Sequence, residues 1–320
     1  MIKTLNIVNG DTCINIMKKA GIDGDFLPWK DFLHEGPIPI ELSLEEFSKI
    51  RAKFITHYGL GTLQEINLNF LTRNLKLASY HNYKKIILWF EHDLYDQLQL
   101  LQILSWFSEQ NLEEIDLKLI STNNYLGESS VQAIKKLLNY ETPILEEHLS
   151  LANKAWLAFG QTNPQKFSKL VNKSTALLPF LKGAIYRMIE EYPNTKCGLS
   201  RTEYQALMVI SSGINTPLEI FNTSQDLEER RFMGDVIFWK ILENFEKYKV
   251  TQREEEKILI TSLGEKLLNG EENWINIKPL ERYIGGVKLT KDNLWCWDME
   301  KKTIEKYYYS KAVNTLLKVK

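Results

Sequence analysis

The run Lys84-Lys85-Ile86-Ile87-Leu88-Trp89-Phe90, followed directly by Glu91-His92-Asp93, constrains this chain most. Its continuous apolar character, without alternation, predicts a strand buried on both faces, as in a parallel sheet. Parallel neighbours need crossover connections, so helices must flank this strand in the chain. They do: Ser43 to His57 and Thr62 to Tyr80 read as helices before it, and Asp93 to Phe107 as an amphipathic helix after it. Thr4 to Val8 and Leu117 to Ile120 read as further strands, with helices over 12–20 and 128–138. Phe26-Leu27 continues into an extended piece ended by Pro28-Trp29. The alternation predicts a doubly wound, Rossmann-like α/β domain over residues 1–142, with 4–8, 85–90 and 116–121 as parallel neighbours.

After Thr142-Pro143 the pattern becomes mainly helical, and residues 143–320 form the second region. Ser200 and Glu203 stand at capping-box spacing. Three helices near 200, 217 and 235, a strand at 257–261 and a helix at 263–268 give 199–269 a winged-helix-like outline. That stretch holds nine Lys or Arg against twelve Asp or Glu, nine minus twelve being −3, so duplex DNA is a disfavoured partner. Arg230-Arg231 and the tail lysines Lys311, Lys318 and Lys320 are the local counterweights. Residues 281–307 read as a small terminal β-hairpin or meander.

Length and charge set outer limits. The 320 residues favour two domains, and 44% apolar with 25% charged residues suit an ordinary globular core. A net charge of −1 offers no global attraction for nucleic acid or an anionic membrane. Cys13, Cys197 and Cys296 form no CxxC pair, which argues against a disulfide framework or zinc knuckle. No apolar run is long enough for a membrane span and no leader precedes the first strand, so the expected compartment is cytoplasmic.

Ligands of open α/β sheets bind beyond the carboxyl ends of the strands. Here those ends carry Asn9-Gly10-Asp11, then Trp29, Asp31, His34 and Glu35, then Glu91-His92-Asp93, and last Thr122 within Ser121-Thr122-Asn123-Asn124. His34, Glu91, His92 and Asp93 are the candidates for catalysis; Asn9, Asp11, Trp29, Asp31, Glu35 and Thr122 are the candidates for ligand binding. Asp11, His34, Glu91 and His92 are expected to line one solvent-reachable cleft. Each has a plainer alternative: Asp11 and Asp93 as helix caps, Asp96 standing three beyond Asp93, His34 as a hydrogen-bonded loop residue, Trp29 as packing. Neither G-x-G-x-x-G nor a P-loop motif is present, and an aspartate at the first helix would repel phosphate. The acidic surplus suits a divalent metal, a cationic group or a hydroxyl-rich ligand instead. No spacing is specific enough to assign a metal or cofactor.

The segments Leu27-Pro28-Trp29-x-Asp31-x-Leu33-His34-Glu35-Gly36-Pro37 and Trp89-Phe90-Glu91-His92-Asp93-Leu94-Tyr95-Asp96-Gln97 resemble the bacterial family catalogued as domain of unknown function 1835. Ala155-Trp156-x-Ala158-Phe159, Leu199-Ser200-Arg201-Thr202-Glu203, Phe232-Met233-Gly234-Asp235 and Gly285-Gly286-Val287-x-Leu289 resemble its companion C-terminal region. The resemblance implies a Rossmann-like first domain and carries no activity with it. Three functions stay open: a small-molecule site with hydrolytic chemistry, a ligand-sensing regulator acting through the winged-helix-like part, and a scaffold.

Overall fold

The computed structural model describes residues 3–310 and 315–319; Lys311 and Lys320 lie outside them. The chain divides into two units. Residues 1–161 and 170–184 make up the first, and 162–169 and 185–320 the second. The boundary therefore lies beyond residue 142, and the chain passes between the units more than once.

The first unit opens with β1 (Thr4–Asn9), α1 (Ile14–Lys19) and β2 (Asp25–Trp29). Then come α2 (Leu44–His57), α3 (Leu63–Ala78), β3 (Lys85–Glu91) and α4 (Leu94–Phe107). It continues with β4 (Asp116–Thr122), α5 (Val131–Leu137), β5 (Thr142–Pro143) and α6 (Glu146–Phe159). The strands form one sheet in the order β2-β1-β3-β4-β5. The first four run parallel, and the two-residue β5 is antiparallel to β4. Pro28 is accommodated because β2 is an edge strand, where a missing N–H disturbs no second ladder. β3 is buried on both faces as its composition requires. Ile87 and Trp89 join Val8, Ile120, Met17 of α1 and Ile134 of α5 in one core. Ile86, Leu88 and Phe90 alternate to the opposite face.

Helices α2 and α3 begin at full capping boxes, Ser43 with Glu46 and Thr62 with Glu65. α4 differs from expectation. It is buried nearly all round rather than amphipathic, with α6 packed along it. Its glutamines and Asp96 are therefore interior residues.

The connection from β2 to α2 is folded around one guanidinium. Arg51 of α2 is completely buried and donates to both carboxylate oxygens of Asp31, with Nη2–Oδ1 at 2.6 Å. It also donates to the carbonyls of Phe32 (3.2 Å) and Glu35 (2.6 Å). Gly36 closes this loop at φ +87°, and a Cβ there would stand 2.4 Å from Arg51 Nη1. Only glycine satisfies both the backbone angle and the clearance.

The second unit holds α7 (Gln165–Ser168), the C-terminal part of α8 (Leu181–Ile189), α9 (Arg201–Ser211), α10 (Pro217–Asp226) and α11 (Asp235–Lys247). The hairpin β6 (Thr251–Glu254) and β7 (Lys257–Ile260) follows, then α12 (Ser262–Asn269) and α13 (Trp274–Ile277). The predicted Ser200–Glu203 capping box opens α9. The terminal β-structure exceeds the single hairpin expected at 281–307. β8 (Arg282–Ile284) pairs with β9 (Val287–Leu289) in one small sheet. β10 (Leu294–Asp298), β11 (Thr303–Ser310) and β12 (Thr315–Lys318) form another. No helix among the described residues is long and apolar enough to cross a membrane.

Replacing Asp31 by Ala strands the Arg51 charge in the interior. The substitution should lower unfolding free energy by about 3–5 kcal/mol, read from urea denaturation. A loss within the error of the measurement would mean the pair does not organise the loop.

Candidate functional site

The strand order places a reversal between β1 and β3. The chain leaves β1 toward β2 on one side and leaves β3 toward β4 on the other. The carboxyl ends of these two central strands thus lie where the connecting loops diverge. Asn9 ends β1, Glu91 ends β3, and Asp93 is the N-cap of α4.

Three carboxylates meet there. Glu91, Asp93 and Asp96 each offer an oxygen within 4.8 Å of the others, and both aspartates are buried. Asp93 accepts the Asp96 backbone N–H at 3.0 Å, the capping role expected of it. Asp96 accepts the Glu91 backbone N–H at 2.6 Å and a short hydrogen bond from the Asn9 amide. Glu91 Oε1 accepts the Leu126 backbone N–H at 2.7 Å, from the loop beyond β4. Gln97 donates to the Glu91 carbonyl at 2.7 Å and closes the turn from β3 into α4.

Burial sets the electrostatics. It pushes the Asp96 carboxyl well above the usual range, and the negative charges of Asp93 and Glu91 push it further. Glu91 rises from its ordinary 4.5 to about 7, first through burial and then through Asp93 and Glu128, against the lowering effect of the Leu126 N–H. The Cys13 thiol, whose titration the charges of Glu91 and Asp96 also oppose, is pushed up to about 12 chiefly by burial. It remains a thiol at neutral pH and is no nucleophile.

The other candidates are distributed around this cluster. Thr122 pairs with Glu91 across β3 and β4, is buried, and accepts the Asn124 N–H at 3.0 Å. His92 is almost fully buried against the rings of Tyr125 and Phe180. His34 is wholly buried, its ring facing Phe32 and Tyr95, so it lines no solvent-reachable cleft. Asp11 does not cap α1, whose N-cap is Cys13 without a side-chain bond; it is exposed and paired with Lys30. The expected joint cleft of Asp11, His34, Glu91 and His92 is therefore not what forms. Asp31 and the Glu35 carbonyl are occupied by Arg51, because a buried guanidinium demands several acceptors. Trp29 is fully buried and its Nε1 donates to Gln102 at 3.0 Å.

Asp96 is the residue that sequence reasoning placed but undervalued. Its position three beyond Asp93 suggested a capping partner, whereas the burial of α4 raises its carboxyl well above the usual range. The signal available was an aspartate within a helix whose remaining faces are rich in leucine. No protein-family model matches the chain, and no curated protein does either.

A raised carboxyl binds a proton more tightly when folded than when unfolded. Stability from Glu91 is thus full below about pH 4.5 and is lost as pH rises through about 7. Glu91→Gln should raise the melting temperature of the metal-free protein by a few degrees at pH 8 and leave it nearly unchanged at pH 4.5. A variant that melts lower at pH 8 would show that the ionised carboxylate supports the fold.

Proposed function

We propose that the first unit binds a small polar ligand together with a divalent cation at the carboxyl ends of β1 and β3. The observation that carries this reading is the convergence of Glu91, Asp93 and Asp96 oxygens within 4.8 Å at the strand reversal. All three donors are hard oxygens, which suit Mg²⁺, Mn²⁺ or Ca²⁺ better than a thiophilic ion. Each carboxylate oxygen has two lone pairs, so a hydrogen bond from Leu126, Glu91 or Asn9 leaves room for coordination. Those hydrogen bonds also fix the donors before any ion arrives. A cation held there would polarise a ligand oxygen or a water, the chemistry of metal-assisted hydrolysis. Thr122 and His92 stand on neighbouring strand ends as candidates to orient the ligand. The strand order supports a Rossmann-like assignment of this unit, and the resemblance to the domain of unknown function 1835 family points the same way. The three buried cysteines, none in a disulfide, fit a reducing compartment such as the cytoplasm.

Mn²⁺ titrated by calorimetry into chelator-treated protein should bind with one ion per chain. At a concentration 100-fold above its dissociation constant it should stabilise the fold by about 2.7 kcal/mol. Asp96→Asn should weaken binding at least tenfold, while Asp11→Asn should not change it. Loss of binding in neither variant, or no binding to the wild type, would refute the reading.

In the second unit, α9, α10 and α11 followed by the β6–β7 hairpin support a winged-helix-like assignment. Some of its cations are held in ion pairs: Lys240 pairs with Glu243, Arg253 with Glu246, and Arg201 with Glu190 and Glu229. Lys318, beyond this stretch, pairs with Glu305. We therefore assign this module a structural role over DNA binding. Fluorescence anisotropy with duplex DNA at about 150 mM salt should give dissociation constants no tighter than the ~10⁻⁶ M of non-specific contacts. Sequence-selective nanomolar binding would make the protein a ligand-sensing regulator.

A further inference from the structure

Two arginines of the first unit, Arg51 and Arg73, are buried on the adjacent helices α2 and α3. One carboxylate serves both. Asp31 is bound bidentately to Arg51, and only its longer-range field reaches Arg73. Arg73 packs between the rings of Trp29 and Phe70, 4.1 and 4.3 Å from their centroids. Its hydrogen bonds go to neutral acceptors, Ser48 Oγ and Asn74 Oδ1, and its Nη1 has no hydrogen-bond partner. Burial lowers its pKa to about 10, so the guanidinium is still charged at neutral pH. Arg187, the buried arginine of the second unit, holds Glu191 and Glu228 by contrast. A buried cation without a counterion is expensive, so an anion brought to it is favoured.

Arg73 forms part of the wall of a half-open cavity of about 470 Å³ between β2, α2 and α3. That volume lies in the range of small-molecule sites, roughly 300–1,000 Å³. Leu27, Ile66 and Phe70 give it apolar surface, and no carboxylate contributes to the lining. Its other cations, Lys30 and Lys76, are paired with Asp11 and Asp25. We propose that this cavity binds a carboxylate carrying an apolar tail, its head on Arg73 and its tail along Leu27, Ile66 and Phe70. A planar guanidinium matches a carboxylate in geometry. One negative charge restores neutrality to the Arg51–Asp31–Arg73 group, and the apolar wall accepts the tail at the expense of water. This site is separate from the carboxylate cluster at the strand ends.

The test uses the full chain in chelator, so that it does not depend on any cation at the strand ends. Decanoate and decanol are titrated by calorimetry into wild type, Arg73→Met and Asn69→Trp, with melting curves of each. Decanoate should bind wild type saturably, one per chain, at least tenfold tighter than decanol. Arg73→Met should melt no lower than wild type, since a buried charge is removed. It should lose at least tenfold in decanoate affinity and keep its decanol affinity. Asn69→Trp leaves Arg73 in place but fills the cavity from α3, and should weaken both probes. Equal binding of the two probes would overturn the proposal. So would unchanged decanoate affinity in either variant, or no saturable decanoate binding by wild type.

Discussion

Enclosing α4 on nearly every side is the constraint from which the first unit is organised. Its polar side chains cannot reach water, so each must find a partner inside the protein. Most of those partners lie at the carboxyl ends of the strands, while Ser105 pairs with Asn153 of α6. Asp96 takes Asn9 at the end of β1 and the Glu91 N–H at the end of β3. Gln97 takes the Glu91 carbonyl, Gln99 donates to the Asp31 carbonyl at 2.9 Å, and Gln102 accepts from Trp29. A single helix thereby fixes the ends of three parallel strands. The same enclosure raises the acids that do the fixing, so scaffold and candidate site share one hydrogen-bond network.

The first unit also carries two electrostatic imbalances of opposite sign. At the strand ends, Glu91, Asp93 and Asp96 crowd negative charge together. Behind β2, Arg51 and Arg73 share the single carboxylate of Asp31. Neither group can relieve the other, because each is fixed by its own hydrogen bonds on different elements. Internal charge that folding leaves unmatched is more informative than exposed charge, which water screens at little cost.

The sheet was legible because its signal is local. The apolar run at 85–90 could only be a strand covered on both faces, and the spacing of its flanking helices implied parallel neighbours. The capping box at Ser200 is likewise a four-residue pattern. The chemistry of the loop after β2 was not legible. The partner of Asp31 is Arg51, twenty residues on in a separate helix. Without that pairing Asp31 and Glu35 read as free functional acids, and His34 as an accessible base. The enclosure of α4 was hidden for a similar reason: α6, which covers it, begins some forty residues after Leu104. Only the fold distinguishes a polar stripe facing solvent from one facing a helix.

The division of the chain into interleaved stretches has a consequence for how the protein is made and dissected. Residues 170–184 belong to the first unit, although 162–169, which precede them, belong to the second. Cutting after residue 161 would therefore remove an integral piece of the first unit rather than release it whole. During synthesis, too, that unit cannot be completed until the chain through residue 184 has left the ribosome, by which point α7 of the other unit has already emerged. Neither half is an independent cassette, and recombination that exchanged one for a foreign domain would have to preserve all three crossings.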